Sequence, residues 1–474
     1  MNYGVTIDEG ASEWQIFQQS ADGTAAITIT GHWNRIHLSQ ELPLIFEQVT
    51  VGSPTIKARI AYEANGESVL PWTLCEAGED GTWRITFHKV PAGGLYRIET
   101  YMEYEGWDGL SCTRGDMVHH IGVGDIFVVA GQSNAAGRAK NPVEDAPQLG
   151  VHLLRNSGKW TLASHPLGET TGSIHIGHYE NHNPGHTPWL HFAKILMREL
   201  GYPIGIIMSA YGGAPLRWFN PEENGALTKN MLEQLEQYQL RPKAVLWCQG
   251  EAEGYENSAH NYLERFTAFV ESLRRSLENP SLPFITVQIN RCLNETTQAL
   301  DHQWGMVREA QVRAMDTIPD VYTIPSNDVA MYDFIHNSSQ GNLVVGERCA
   351  RCALATLYGR ELEWQAPRAK RAVQTAPDKV ELTFSRIYNW LNPFDVPAAL
   401  LPFEAEDEDG LISVQSYETH NDGLTLHFSR TLKEGAVLHG AWRMNPGVGI
   451  PCDCTRMSML SFYGMKIIGN ENNR

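Results

Sequence analysis

The sequence predicts an α/β protein. Its core is a parallel sheet flanked by helices, with a β-sandwich-like region before the core and a smaller β-rich region after it. The core is predicted by a repeated alternation of short apolar runs and longer amphipathic stretches, since β–α units build parallel sheets with helices on their faces. The apolar runs predict buried strands at residues 126–130, 204–208, 244–248, 284–289 and 321–324. The amphipathic stretches predict helices at residues 189–200, 227–239, 256–278, 302–315 and 344–357.

The two flanking regions lack this alternation and contain short β-rich runs separated by turn residues, the pattern typical of sandwiches and small β-domains. In the first region the runs cover residues 25–30, 55–62, 82–87 and 96–101. In the last region they cover residues 379–384, 424–428 and 435–439. Gln365, Ala366 and Pro367 predict a linker before the last region. We therefore expect domains at residues 1–120, 121–362 and 363–474, a number that fits a chain of 474 residues.

Composition and charge argue against several classes of function. The net charge is −18 with His neutral, and the acidic residues are spread along the chain, which indicates solubility rather than an acidic tail. There is no basic stripe that would indicate nucleic-acid binding, and no apolar run approaches the about 18 residues that a membrane span needs. Residues 1–9 lack the basic segment and apolar core of a signal peptide. We therefore expect a cytoplasmic protein, or a secreted one whose signal has been removed.

Eight cysteines are present, and without a signal peptide we expect reduced thiols rather than disulfides. Cys349 and Cys352 lie in the apolar helical stretch 344–357, which indicates core or helix-surface thiols. Zinc binding there would need two further ligands that the spacing does not provide. The other cysteines are Cys75, Cys112, Cys248, Cys292, Cys452 and Cys454.

The irregular stretch 140–186 holds six histidines, which raises the question of a metal site. Their spacing is loose and few acidic residues lie near them. We therefore favour either a solvated loop or a loop at the edge of the substrate site, and expect no metal. The six are His152, His165, His175, His178, His182 and His186.

The most informative motif is Gly131-Gln132-Ser133-Asn134, which directly follows the predicted strand 126–130. A serine where a parallel strand breaks into a glycine-flanked turn lies at the carboxyl edge of the sheet, where α/β proteins place their chemistry. Taken alone, the motif indicates only a turn, because Gly, Ser and Asn are all turn residues. Two features further along the chain favour a catalytic serine.

The first feature is Asp333-Phe334-Ile335-His336, which places an acid three residues before a histidine. A serine hydroxyl needs a base to take its proton, and the base needs a group that holds its tautomer. The second feature is Trp247-Cys248-Gln249-Gly250-Glu251, which follows the apolar residues 244–246. The Gln249 amide at this strand end has the chemistry to donate a hydrogen bond to a developing oxyanion.

Together these segments resemble the SGNH hydrolases, and within them the group that includes sialate O-acetylesterases and related carbohydrate acetylesterases. The resemblance covers roughly residues 120–360 and implies a flavodoxin-like SGNH hydrolase core. It rests on four segments in the family order, at residues 130–134, 204–218, 246–251 and 333–336. A departure follows His336, where Asn337-Ser338-Ser339-Gln340 replaces the His-Pro-x-x-Lys often seen in sialate-type members. The resemblance therefore leaves the sugar open.

The resemblance implies a serine esterase that removes O-acetyl groups from saccharides through an acetyl-enzyme intermediate, without a cofactor. Ser133 would be the nucleophile, and His336 would take its proton and later return one to the leaving sugar hydroxyl. Asp333 would orient His336 and stabilise the imidazolium. Asp328 is the less favoured acid, because it lies eight residues before His336 and follows a strand end.

The resemblance also implies an oxyanion hole. Its donors would be the backbone N–H groups of Ser133 and Gly213 and the side-chain amide of Gln249. Glycine suits this role because the backbone must approach the ester closely, and Gly212 takes it if the alignment is one residue off. The residues expected to support the serine turn from behind are Gln132, Asn134, Gly212 and Glu251.

Several aromatic residues lie beside these motifs, and aromatic rings stack on the apolar faces of sugars. Trp218 is the best candidate for a wall of the substrate site, together with Tyr211. Arg217 either pairs with a carboxylate on an acidic sugar or is a solvated loop residue. For Trp247 and Trp304 we favour positions in the core.

Three functions stand as hypotheses. The favoured one is an esterase acting on O-acetylated mono-, oligo- or polysaccharides. The second is an esterase of lipids or other simple esters, against which no long apolar lid is evident in the sequence. The third is a carbohydrate-binding protein with an inactive hydrolase core, which would lack a catalytic residue, whereas Ser133, Asp333 and His336 are all present. Neither the sugar nor the oligomeric state follows from the sequence.

Overall fold

The computed structural model describes residues 4–34, 54–106, 109–174, 179, 184–392 and 396–469. The first region forms two facing antiparallel sheets. One has the strand order β1-β3-β7-β6, and the other has the order β5-β4-β8-β9, with β2 alongside β9. The strands are β1 (Gly4–Glu9), β2 (Ile16–Gln18), β3 (Thr24–Asn34), β4 (Thr55–Tyr62), β5 (Ser68–Leu74), β6 (Glu76–Ala77), β7 (Thr82–Pro91), β8 (Gly93–Gly106) and β9 (Gly109–Gly131).

The apolar residues that alternate along these strands point into the space between the two sheets. Ile27 and Phe87 from the first sheet meet Ile60 and Ile98 from the second in one buried cluster. This is the packing that the period-two runs of the sequence predict for a sandwich. All four predicted runs lie inside observed strands.

Strand β9 joins the sandwich to the core. Its residues up to Val123 pair antiparallel with β8, whereas Asp125 to Gly131 pair parallel with strands of the core. The domain boundary expected at residue 120 therefore falls inside one continuous strand. A single 23-residue strand carries the sandwich directly into the turn that holds Ser133.

The core sheet has the strand order β11-β10-β12-β9-β13-β14-β15. Its five strands β12-β9-β13-β14-β15 are parallel and, numbered by chain order, run 2-1-3-4-5, which is the flavodoxin-like order. The added strands are β10 (Val151–Leu154), β11 (Trp160–Leu162), β12 (Ile204–Ala210), β13 (Ala244–Cys248), β14 (Phe284–Val287) and β15 (Val321–Ile324). The four core strands predicted after Ser133 are confirmed, with β14 ending two residues earlier than expected.

Helices cover both faces of this sheet. The α-helices are α1 (Ser133–Ala136), α2 (Trp189–Leu200), α3 (Ala226–Gln237), α4 (Glu251–Tyr255), α5 (Tyr262–Ser276), α6 (Gln298–Thr317) and α7 (Ser339–Tyr358). Neighbouring residues of β9 face the two layers in turn: Val128 packs in the cluster with α3, α5 and α6, and Val129 packs in the cluster with α2 and α7. Short 3-10 turns lie at Leu216–Trp218, Ala259–Asn261 and Ala398–Leu400.

The helix predicted at 256–278 is broken into shorter pieces, and its regular part begins only at Tyr262. Cys349 and Cys352 are fully buried on α7, so of the two predicted positions they take the core one, and all eight cysteines are free. Among the described residues, no helix has the length and apolar character to cross a bilayer.

The last region closes into a seven-stranded barrel with the order β16-β17-β21-β20-β19-β22-β24, completed by parallel pairing of β24 with β16. A two-stranded ladder of β18 and β23 lies beside it. The strands are β16 (Arg368–Ala376), β17 (Lys379–Ser385), β18 (Leu391–Asn392), β19 (Phe403–Asp407), β20 (Gly410–His420), β21 (Gly423–Phe428), β22 (Val437–Gly440), β23 (Cys452–Asp453) and β24 (Phe462–Gly469).

One buried cation fastens the barrel to the core. Arg308 on α6 is fully buried, and burial lowers the pKa of its guanidinium to about 9. Its N–H groups donate to five backbone carbonyls, which belong to Ile289 and Asn290 in the core and to Ala441, Trp442 and Arg443 in the barrel. The side-chain amide of Asn327 adds hydrogen bonds to Met459 O and Ser461 Oγ.

We predict that Arg308→Ala lowers the free energy of unfolding by about 3 kcal/mol, because buried carbonyls lose a charged donor. Arg313→Ala on the same helix is the matched control, since Arg313 is exposed. Urea unfolding followed by fluorescence and by circular dichroism measures both variants. Equal midpoints for the two variants would contradict the role given to Arg308.

Candidate active site at the carboxyl edge of the sheet

A sharp turn holds Ser133 at the end of β9. Gly131 has a φ of 131°, and a Cβ on this residue would lie 2.0 Å from the carbonyl oxygen of Cys248, so only glycine fits. The N–H of Gln132 donates to the same oxygen at 2.9 Å, which ties the turn to β13. Ser133 then begins helix α1 with 8% of its surface exposed. The predicted position of this serine is confirmed.

Asp333 and His336 share one turn, as their spacing predicted. Asp333 Oδ2 lies 2.7 Å from His336 Nδ1, and Asp333 Oδ1 accepts the backbone N–H groups of Ile335 and His336 at 2.9 and 2.8 Å. Partial burial raises the pKa of Asp333, but the hydrogen bonds from His336 and the two backbone N–H groups outweigh it and hold the pKa below its usual value. The ionised carboxylate fixes the proton on Nδ1, which leaves Nε2 as the base.

Asn134 brings this turn to the serine. Its side-chain amide donates to Glu251 Oε1 at 2.8 Å and to the carbonyl oxygen of Ile335 at 3.3 Å, and its Oδ1 accepts the N–H of Asn337 at 3.0 Å. The residue after Ser133 therefore contacts the chain on both sides of His336. Within the described part of the chain, the Ser133 hydroxyl has no hydrogen-bond partner, which leaves it available to His336 when substrate binds.

Asp328, the less favoured acid, pairs with residues other than His336. Asp328 forms a bidentate ion pair with Arg348, with N–O distances of 2.6 and 2.7 Å, and accepts the hydroxyl of Ser458 at 2.9 Å. The structure thus brings Asp333, and not Asp328, to His336. Asp328 instead helps to fix the barrel, because Ser458 belongs to the last region of the chain.

Two backbone N–H groups are free to hold an oxyanion. Ser133 N–H lies at the start of α1, where helical N–H groups have no partner within the helix. Gly213 lies in the turn after β12 with a φ of 67°. Neither N–H donates to any residue that the structure describes. These are the two backbone N–H groups that the resemblance implied as oxyanion donors.

The Gln249 amide is arranged differently from the expectation. It is fully buried, and its nitrogen donates to Glu253 and to the carbonyl oxygen of Ala214, so both N–H groups are used inside the protein. Its Oε1 has no partner in the described chain. The physical reason is the fully buried carboxyl group of Glu253, four residues after Gln249, which accepts this hydrogen bond. The spacing of four residues was the signal that sequence reasoning missed.

Glu253 links the third motif to the second. Its Oε1 accepts the N–H of Leu216 at 2.6 Å, next to the turn that carries Gly213. Burial raises the pKa of this carboxyl group. Gln249 and Glu253 together therefore fix the position of the Gly213 turn relative to β13.

Gln132 and Glu251 support the serine turn from behind, where they were expected. Gln132 Oε1 accepts the N–H groups of Gly250 and Ala252, each at 3.3 Å, and so satisfies the start of α4. Glu251 is buried, which raises its pKa, although the hydrogen bond from Asn134 opposes that shift.

The side chains proposed for the substrate wall lie at the surface beside this edge. Trp218 packs edge-on against Tyr211, with ring centroids 5.6 Å apart. Arg217 pairs with Glu256, and both are well exposed. Trp247 and Trp304 are fully buried, which confirms the prediction that they belong to the core.

The histidine-rich stretch is less solvated than expected. His152 is buried, and burial lowers its pKa to about 4. The Nε2 atoms of His165 and His186 converge on Asp145 Oδ2 at 2.9 and 3.1 Å, a cluster with the dimensions of a metal site. The ammonium of Lys194, 2.8 Å from Asp145 Oδ1, already compensates the carboxylate. His175, His178 and His182 lie outside the described residues.

Comparisons with known proteins find similar sequences among the carbohydrate esterases. Residues 123–355 match the family model described as carbohydrate esterase, sialic acid-specific acetylesterase. A probable carbohydrate esterase of Arabidopsis thaliana is 29% identical over 186 residues, which is 35% of this chain and 68% of that protein. Sialate O-acetylesterase of Pongo abelii is 22% identical over 316 residues, which is 57% of this chain and 58% of that protein.

The fold as a whole also has a solved counterpart. A carbohydrate acetylesterase from Xanthomonas citri superposes with a TM-score of 0.64 at 19% identity, covering 97% of this chain and 99% of that one. The similarity therefore includes both flanking β regions as well as the core.

We predict that Asp333→Asn lowers kcat on a small acetate ester by about 10⁴-fold with little change in KM, because asparagine favours the wrong imidazole tautomer. Asp328→Asn is the matched control and is expected to cost far less turnover. Steady-state kinetics measure both, with thermal unfolding to monitor the Arg348 contact. A large loss for Asp328→Asn beside normal turnover for Asp333→Asn would reverse the assignment.

Proposed function

We propose that the protein is a serine esterase that removes O-acetyl groups from saccharides, because residues 123–355 match the family model described as carbohydrate esterase, sialic acid-specific acetylesterase. The observation that carries the proposal is the contact of Asn134 with both neighbours of His336. It assembles nucleophile, base and acid from segments about two hundred residues apart. The finer fold assignment that we propose for the core is the SGNH hydrolase type.

The reaction begins with attack of Ser133 Oγ on the acetyl carbonyl carbon, while His336 Nε2 takes the hydroxyl proton. Asp333 stabilises the imidazolium that forms. The negative charge on the carbonyl oxygen is held by the free N–H groups of Ser133 and Gly213, since donors placed where charge develops lower the barrier. Collapse of this intermediate breaks the bond to the sugar oxygen, which leaves with the proton from His336.

The second half of the reaction releases acetate. His336 Nε2 takes a proton from water, and the hydroxide attacks the acetyl group on Ser133. The same two N–H groups hold the second oxyanion. When the intermediate collapses, the proton on His336 returns to Ser133 Oγ, and the acetic acid that leaves loses its own proton to water to give acetate and free enzyme.

The proposed substrate class is acetylated saccharides in general and is not restricted to sialic acids. The residues after His336 have structural tasks here. Ser338 caps helix α7 by accepting the N–H of Gly341 at 3.0 Å, and Ser339 bonds to Asn141 at 2.7 Å. They supply no cation for a sugar carboxylate. Arg217 is the cation that the sequence offered for that task, and it already pairs with Glu256.

We predict that Ser133→Ala reduces acetate release below about a thousandth of the wild-type kcat, because no other covalent attacker takes part. A panel of acetylated sugars, with acetate measured enzymatically, identifies the preferred substrate and tests the variant. Thermal unfolding serves as the folding control.

Addition of EDTA is expected to leave acetate release unchanged, since every step uses side chains or backbone groups. Residual activity above that level, or loss on chelation, would refute the scheme.

A further inference from the structure

Two open cavities lie on the barrel side of the catalytic domain and share residues. The larger, about 990 Å³, lies between the core and the barrel, and we call it the junction cavity. The other, about 690 Å³, lies on the barrel itself, and we call it the barrel cavity. Trp390 and Asn392 line both, so the two cavities are contiguous at these side chains.

The junction cavity borders the catalytic turn. Leu293 lines the cavity, and its N–H donates at 2.7 Å to the carbonyl oxygen of Phe334, which stands between Asp333 and His336. Met331 lines it as well, and its backbone forms an isolated bridge with Asn337. The cavity therefore adjoins the turn that carries the acid and the base.

Exposed apolar side chains run along the same path. Phe334 is 48% exposed and Leu293 49% exposed, and across the cavity Trp390 is 46% and Val448 68% exposed. Large apolar side chains exposed around one cavity favour a binding site. Trp390 lines both cavities, and a flat aromatic ring packs well against the C–H face of a sugar ring.

The barrel cavity adds polar groups that suit sugar hydroxyls. Gln415, His420 and Asn421 line it, together with Tyr417. Amides and imidazoles both donate and accept hydrogen bonds, which is what a neutral polyol requires. Both volumes lie in the range of ligand sites.

The cavities are not needed to attach the barrel. The attachment runs mainly through the buried contacts of Arg308 and Asn327, and the Ser458 hydroxyl adds a hydrogen bond to Asp328 at the wall of the junction cavity. An interface that only buttressed the core would close around such contacts. Here it leaves an open space next to the catalytic turn.

We propose that the two cavities form one saccharide-binding track, which leads from the catalytic turn across Trp390 onto the barrel, so that the preferred substrate is an acetylated oligo- or polysaccharide. The inference rests on the proposed function and specifies its substrate. The sugar residue that carries the acetyl group sits at Ser133, and its neighbours in the chain occupy the junction cavity and then the barrel cavity.

The test compares acetylated saccharides of one, two and six sugar residues with a small acetate ester. For the wild-type protein, kcat/KM is expected to rise with chain length through a lower KM. Trp390→Ala is expected to reduce the ratio of hexasaccharide to small-ester kcat/KM about tenfold, which corresponds to about 1.4 kcal/mol. Trp72→Ala is the matched control, because Trp72 is an exposed tryptophan on the N-terminal sandwich.

A binding measurement supports the kinetics. Calorimetric titration of a deacetylated hexasaccharide into Ser133→Ala protein measures its Kd without turnover. The double variant Ser133→Ala with Trp390→Ala is expected to have a Kd about tenfold higher. Gln415→Ala, an exposed change in the barrel cavity, gives a second variant if Trp390→Ala does not fold. It is expected to weaken binding of the hexasaccharide and not of the monosaccharide.

Equal kcat/KM for one and six sugar residues would overturn the track while leaving the esterase intact. An equal ratio of hexasaccharide to small-ester kcat/KM for Trp390→Ala and Trp72→Ala would also overturn the track. Failure of the proposed function looks different, because no acetylated saccharide of any length would then release acetate although the small ester is hydrolysed.

Discussion

The site depends on one side chain, that of Asn134. Its amide and carbonyl oxygen are shared among Glu251, Ile335 and Asn337, so it joins the end of β9, the start of α4 and the catalytic turn. The parallel sheet fixes the ends of β9 and β13 by backbone pairing, but it does not reach residues 333–336. Two of these hydrogen bonds, to Ile335 O and from Asn337 N–H, join the residue after Ser133 directly to the neighbours of His336, in a setting where an unpaired buried partner is costly.

Much of the fold follows from hydrophobic periodicity. The buried strands β12, β13 and β15 coincide with apolar runs, because a strand covered on both faces must be apolar throughout. The continuity of β9 could not be predicted in the same way. Its glycines and histidines interrupt the pattern at residues 119–124, where pairing to β8 and β2 decides the structure. Barrel closure by β16 and β24 likewise depends on pairing across about ninety residues.

The site was predictable where chemistry is local and unpredictable where partners are distant. Asp333 and His336 lie on one turn, and Ser133 follows a strand, so spacing alone places them. The cluster of Asp145 with His165 and His186 joins residues 20 and 41 positions apart, and no period reveals it. Gln249 shows the intermediate case, since Glu253 four residues later captures its amide. The role of Trp390 follows only from the position of the barrel.

The most direct test of the role of the Asn134 hydrogen bonds is the turnover of Asn134→Ala on a small acetate ester, with Ser133, Asp333 and His336 intact. Asn156→Ala is the matched control, because Asn156 is a buried asparagine that donates to Glu169 O at 3.0 Å. Loss of two or three hydrogen bonds of about 1 kcal/mol each predicts a kcat lowered roughly 100-fold, beyond any effect on thermal unfolding shared with the control. A kcat within twofold of the control would contradict the account.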